Sequence, residues 1–188
     1  MTILRSATDP RWVAVAVAGF DRTLQDHAHC EKKAVASALR LVADHPDRPG
    51  LVRPLARLAQ EELQHFLAVL AELARRGLVL PPDEGDPYAQ ALVRAARGGG
   101  RPLTDDLLAF ALIEARSAER LGLLAVALPD PRLRELYGRL AQAEAGHERL
   151  FVELARAHGG GDVDGRLAAL AEEEARIVAG LPLAPRIH

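Results

Sequence analysis

The stretch RLAQEELQHF, residues 57–66, lies in an apolar helical run, LVRPLARLAQEELQHFLAVLAELARRG (51–77), and sets a glutamate and a histidine three positions apart in it. Residues i and i+3 share one face of a helix, so Glu62 and His65 stand side by side. A stripe this apolar is expected to be buried, and burial strips hydration from both groups. The same spacing returns in AEAGHE, residues 143–148, as Glu144 with His147. For a chain with this many glutamates and histidines, roughly half a Glu-x-x-His match is expected by chance, and two are present.

Working outward from these pairs, one glutamate sits in the middle of each preceding long helix, Glu31 and Glu114. Glu31 precedes Glu62 by 31 positions, and Glu114 precedes Glu144 by 30. The offset between copies is 83 positions for the single glutamates and 82 for the pairs. The chain therefore reads as two copies of one helical hairpin, each carrying Glu and then Glu-x-x-His. That is the ligand set of di-iron and di-manganese carboxylate bundles. The candidate metal ligands are Glu31, Glu62, His65, Glu114, Glu144 and His147. Carboxylates gathered in a core repel one another, and some would take up protons unless divalent ions neutralised them. Oxygen and imidazole donors without thiolate suit iron or manganese. Such a pair activates molecular oxygen, a task outside ordinary side-chain chemistry. The nearest competing acids are Glu61, Glu119 and Glu148. Glu62 is preferred to Glu61 because it holds the relation to its histidine that Glu144 repeats.

The remaining sequence agrees with a helical scaffold. Of 188 residues, 49% are hydrophobic, 27% charged and 4% aromatic, with Ala, Leu, Arg and Glu dominant. These are strong helix formers in a globular balance. Asp9-Pro10 reads as a cap for a short helix to about Ala18, loosened at Gly19. Asp21 is expected to cap a long helix to about Asp44, which HPDRPG (45–50) breaks. The next long helix spans about Leu51 to Arg76, with Pro54 in its first turn and Gly77 as its stop. After the loop 78–87, a short helix runs from Tyr88 to Arg97. Thr104 is expected to cap a third long helix to about Leu128, and a fourth runs from about Arg132 to His158. A last helix from about Arg166 to Ala179 precedes a loose Pro-rich tail. Four long helices with a long crossover, about residues 77–103, predict an all-α, ferritin-like four-helix bundle with short extra helices. The expectation is one domain over 1–188, with a bundle core at about 21–158 and terminal helices at about 10–18 and 166–179.

A formal net charge of −2 excludes a global basic field, so contact with nucleic acid would need a local patch. The candidates are Arg94, Arg97 and Arg101, with Arg48, Arg53 and Arg57 as a second group. Cys30 is the single cysteine, which excludes an intramolecular disulfide or a Cys-rich metal site and fits a reducing compartment. The N-terminal residues show no apolar signal core, and VAVAVAGF (13–20) is too short to span a bilayer, so no membrane and a cytoplasmic setting are expected. His27, one turn before Glu31, and Tyr137, two turns before Glu144, are candidates to support the ligands. Leu107 and Phe110 precede Glu114 on its face and suit either core packing or an apolar channel.

HAHCEKKAVASAL (27–39), RLAQEELQHF (57–66), ALIEARSAERL (111–121) and LAQAEAGHERLF (140–151) resemble the MiaE family of ferritin-like tRNA-(2-methylthio-isopentenyl-adenosine) hydroxylases, over about residues 10–158. The resemblance implies a non-haem di-iron monooxygenase with two iron ions as cofactor and O2 as co-substrate. Two electrons would come from a donor protein. Its substrate would be the isopentenyl group of a hypermodified adenosine beside the tRNA anticodon, and the protein would be a monomer or small homo-oligomer. The six residues named above would be the iron ligands, with Glu62 and Glu114 as carboxylates that change binding mode when oxygen arrives. A di-iron oxidase or peroxidase of a small molecule and an iron-binding ferritin-like protein are the alternatives.

Overall fold

The computed structural model describes residues 2–98 and 102–188. Gly99, Gly100 and Arg101 lie outside the described residues. Within the described residues the chain forms seven α-helices and no strand: α1 (Arg11–Ala18), α2 (Phe20–Asp44), α3 (Pro49–Arg75), α4 (Pro87–Arg97), α5 (Pro102–Ala127), α6 (Pro131–His158) and α7 (Val163–Gly180). The long helices α2, α3, α5 and α6 are each roughly 40 Å in length at about 1.5 Å per residue.

The helix boundaries follow local chemistry. Asp86 Oδ1 accepts from the Ala89 N–H at 2.9 Å to cap α4, and Asp130 Oδ1 accepts from Arg132 N–H at 2.9 Å to cap α6. Pro87 and Pro131 follow as first helical residues, where a missing N–H costs nothing. Gly77 takes φ 70° after α3. The Leu78 N–H then reaches Leu73 O at 2.9 Å and the Gly77 N–H reaches Ala74 O at 3.0 Å, the Schellman ending.

Three helix starts differ from the sequence expectation. Asp21 does not cap α2. Gly19 does, its carbonyl accepting from Arg22 and Thr23, while Asp21 pairs with Arg76 at 2.5 Å. Thr104 lies inside α5, and its Oγ1 accepts from the Gly160 N–H at 3.4 Å. The last helix begins at Val163 because Asp162 Oδ1 captures the Gly165 N–H at 2.8 Å. Pro54 sits deeper in α3 than expected because Pro49 already opens that helix.

The chain divides into two compact units, one of Met1–Ala14, Gly85–Ala184 and His188, the other of Val15–Glu84 and Pro185–Ile187. In the second, α2 packs along α3. The loop after α3 is held to α2. Gln25 Nε2 donates to Val79 O at 3.0 Å, His29 Nε2 to Pro81 O at 2.9 Å, and Lys32 and Lys33 reach Asp83 at 3.2 and 3.6 Å. The Pro-rich segment is not loose here. Pro185 lies so close to Gly19 that a Cβ there would stand 2.8 Å from the Pro185 Cβ. Ile187 is buried and its N–H donates to Asp26 Oδ2 at 2.7 Å, while Arg186 pairs with Glu84 at 3.1 Å.

In the first unit α5 packs along α6, α4 packs on α5 and α7, and α7 packs on α5. Its centre holds a fully buried guanidinium, Arg116. Arg116 Nε and Nη2 donate to both oxygens of Glu174 at 3.0 Å, and Nη1 donates to Thr8 Oγ1 at 3.1 Å. A buried charge persists only when paired this fully. Burial still leaves the Glu174 carboxyl above its ordinary value, although Arg116 pulls it down. Arg120 stacks over the Trp12 indole at 4.9 Å, a cation–π contact.

Candidate metal centre

Each unit carries one half of the ligand pattern, and the two halves have the same construction. In the α2–α3 hairpin, Glu31 and Glu62 are 5% and 1% exposed. One ligand atom from each of Glu31, Glu62 and His65 lies within 4.8 Å of the others. His65 Nδ1 stands 3.4 Å from Glu62 Oε2 and 3.7 Å from Glu31 Oε2. In the α5–α6 hairpin, Glu114, Glu144 and His147 are all buried. They too bring one ligand atom each within 4.8 Å. His147 Nδ1 is 3.1 Å from Glu144 Oε2. Both histidines thus turn Nδ1 toward the carboxylate three residues earlier. That follows from the i, i+3 spacing on a helix whose side chains lean toward its N-terminus.

The electrostatics of each half favour a cation. Two carboxylates at about 4 Å repel by about 4 kcal/mol at an effective dielectric near 20. Burial alone pushes the Glu31 carboxyl up. The adjacent His27, through its charge and hydrogen bond, outweighs it and holds Glu31 well below the usual carboxylate range. His27 Nε2 lies 2.5 Å from Glu31 Oε1, and both side chains are buried. Anionic oxygen and imidazole nitrogen, gathered twice, fit iron or manganese.

The other candidates fall in varied places. Glu61 is exposed and Glu148 half-buried. Glu119 is engaged elsewhere, accepting from Arg116 Nη1 and from Thr8 Oγ1 at 2.5 Å each. Tyr137 is fully buried in α6, and Leu107 is core. Phe110 packs on Phe151 with ring centroids 5.7 Å apart, which is ordinary aromatic packing. Arg94 and Arg97 lie exposed in the last turn of α4, where Arg97 pairs with Asp106 at 3.2 Å. Arg48, Arg53 and Arg57 are exposed around the start of α3.

Sequence reading missed the buried polar network between α5 and its neighbours: Arg116 and Ser117 on α5, with Asp86, Tyr88, Glu174 and His188 around them, all buried or nearly so. The only local signal is Arg116 and Glu119 at i, i+3 spacing in an apolar helix. The partner Glu174 lies 58 positions away, beyond any helical periodicity.

A family model described as tRNA-(MS[2]IO[6]A)-hydroxylase (MiaE) matches residues 1–188. Two curated relatives are both named tRNA 2-(methylsulfanyl)-N(6)-isopentenyladenosine(37) hydroxylase. That of Pseudomonas putida is 38% identical over 153 residues, covering 81% of this chain and 74% of the relative. That of Salmonella typhimurium is 31% identical over 148 residues, covering 78% of this chain and 54% of the relative. A solved structure, "Protein 43 with aldehyde deformylating oxygenase activity from Synechococcus", is 39% identical with a TM-score of 0.93, covering 100% of this chain and 96% of that one. The fold is accordingly all-α and ferritin-like. The repeated carboxylate–histidine clusters are consistent with a di-iron centre, and with a family model matched along its whole length the chain belongs to the MiaE family of tRNA hydroxylases.

Proposed function

We propose that the protein hydroxylates the isopentenyl group of a hypermodified adenosine in tRNA, with Glu31, Glu62, His65, Glu114, Glu144 and His147 together holding two iron ions. The observation that carries this reading is the recurrence of one buried half-site, Glu with Glu-x-x-His, on two hairpins of a chain in a tRNA hydroxylase family. Bound there, iron supplies the activation of molecular oxygen that side chains lack. The chain's own residues neutralise the ions with four carboxylates, and His27 orients Glu31 through its 2.5 Å contact. In the net reaction one oxygen atom enters a C–H bond and the other leaves as water. That consumes two electrons, delivered by a donor protein, and two protons. The setting is the cytoplasm, where tRNA is found, and the protein acts as a monomer or small homo-oligomer. Arg94, Arg97 and Arg101, at and after the end of α4, are assigned to phosphate contact.

The test is expression in a strain lacking the hydroxylase, followed by mass spectrometry of tRNA nucleosides. One added oxygen on the isopentenyl adenosine is expected. Its absence from cells whose purified protein carries iron would overturn the substrate and leave the centre standing. Metal analysis of protein purified without chelators separates iron from manganese. The likeness to a Synechococcus protein with aldehyde deformylating oxygenase activity supports a second reading, oxidation of a small molecule. Turnover of an aldehyde with no change in tRNA would select it.

A further inference from the structure

Ser117, His188 and Asp86 form a buried relay outside the proposed ligand set. His188 Nε2 lies 2.7 Å from Ser117 Oγ, and Nδ1 lies 3.1 Å from Asp86 Oδ2. All three side chains are buried. With Asp86 as a carboxylate, the Nδ1–H donates to it and the Ser117 hydroxyl donates to Nε2. The imidazole also rests on the Tyr88 ring, centroids 5.3 Å apart. The order Asp–His–Ser matches a nucleophile relay, but Ser117 is closed off within α5. The N–H groups around it are spent on the helix, which leaves no site for a developing oxyanion. The relay must serve another purpose.

That purpose follows from its place on α5. Tyr88 Oη donates to Glu174 Oε1 at 3.1 Å and lies 3.4 Å from the Leu112 carbonyl. Arg116 is clamped by Glu174, and Ser117 is held by His188. Glu114 lies between these three anchored positions, one turn before Ser117. Asp86, at the other end of the relay, also caps α4, so a capped helix start serves as the fixed point.

We propose that His188 is a positioning residue for the metal centre, fixing the turn of α5 that carries Glu114 by tying Ser117 to the capped start of α4. This rests on the reading of Glu114 as a metal ligand. Groups that hold ligands in place are commonly worth about 10- to 100-fold in metal affinity.

Three variants of the full chain separate the parts. In His188→Asn the amide nitrogen takes the place of Nδ1 and keeps Asp86 while losing Ser117. In His188→Gln the amide nitrogen reaches the place of Nε2 and keeps Ser117 with the bond reversed, the amide donating to Ser117 Oγ. Ser117→Ala removes the same bond from the other side. The readouts are amide hydrogen exchange over residues 112–118 in the metal-free protein, iron affinity, and the spectrum of the coupled iron pair. His188→Asn and Ser117→Ala should speed exchange there and weaken iron binding about tenfold, with an altered spectrum. His188→Gln should stay near wild type. Unchanged iron affinity and spectrum in both His188→Asn and Ser117→Ala, even with faster exchange, would make His188 a stabilising contact only and overturn the proposal. A wild-type protein that takes up no iron would instead overturn the metal reading on which it stands.

Discussion

Glu62, one of the proposed ligands, shows what a buried carboxylate costs the metal-free protein. It is 1% exposed and within reach of His65 and Glu31, whereas its neighbour Glu61 faces solvent. Replacing a buried carboxylate with its neutral amide removes the repulsion while keeping the shape. Glu62→Gln is therefore expected to stabilise the metal-free protein by about 1–2 kcal/mol and to abolish iron binding. Thermal melts of the chelated protein, paired with iron analysis, check both signs. That Glu62 and not Glu61 is buried beside His65 was legible in the sequence because helical spacing puts Glu62, like Glu144, one turn before its histidine. The contact of His27 with Glu31 was legible for the same reason, the two lying four residues apart on one face. Arg116 was not recognised, because the carboxylate that justifies its burial comes from α7 and no local spacing connects them.

At the scale of elements, the helix stops were easier to read than the starts. Gly77 announces its own role, since φ 70° is a conformation that other residues occupy only with strain. Gly77→Ala should cost about 1–2 kcal/mol in urea denaturation. Starts were obscured by competition among nearby capping groups. Asp21 and Thr104 have the right chemistry, yet Asp21 is drawn to Arg76 and Thr104 to the Gly160 amide. Asp162 wins the start of α7, and Asp162→Ala should cost about 1 kcal/mol in the same assay. The Pro-rich segment read as loose because terminal stretches are poorly ordered unless something ties them down. Its order comes from a close fit, Pro185 on Gly19, that two distant stretches of sequence do not reveal separately.

For the molecule as a whole, stability and metal content should be linked. A protein that binds iron only when folded gains about 2.7 kcal/mol at free iron 100-fold above its dissociation constant, so its melting temperature should rise with added iron. If all six proposed ligands serve one centre, Glu31→Ala in one unit and Glu114→Ala in the other should each remove more than half of the bound iron. Independent half-sites would lose half at most. The ion pair of Arg116 with Glu174 tests the scaffold separately. Arg116→Ala strands Glu174 in the interior and should cost about 3–5 kcal/mol, while Arg116→Met with Glu174→Met should recover much of it. The lysines carry a more practical consequence. The chain contains two, Lys32 and Lys33, and both point at Asp83 in the loop after α3. Apart from the amino terminus, an amine-reactive dye therefore has only this junction to label. A lysine-specific protease has only this stretch of α2 to cut, so either reagent becomes a reporter of whether that loop is seated.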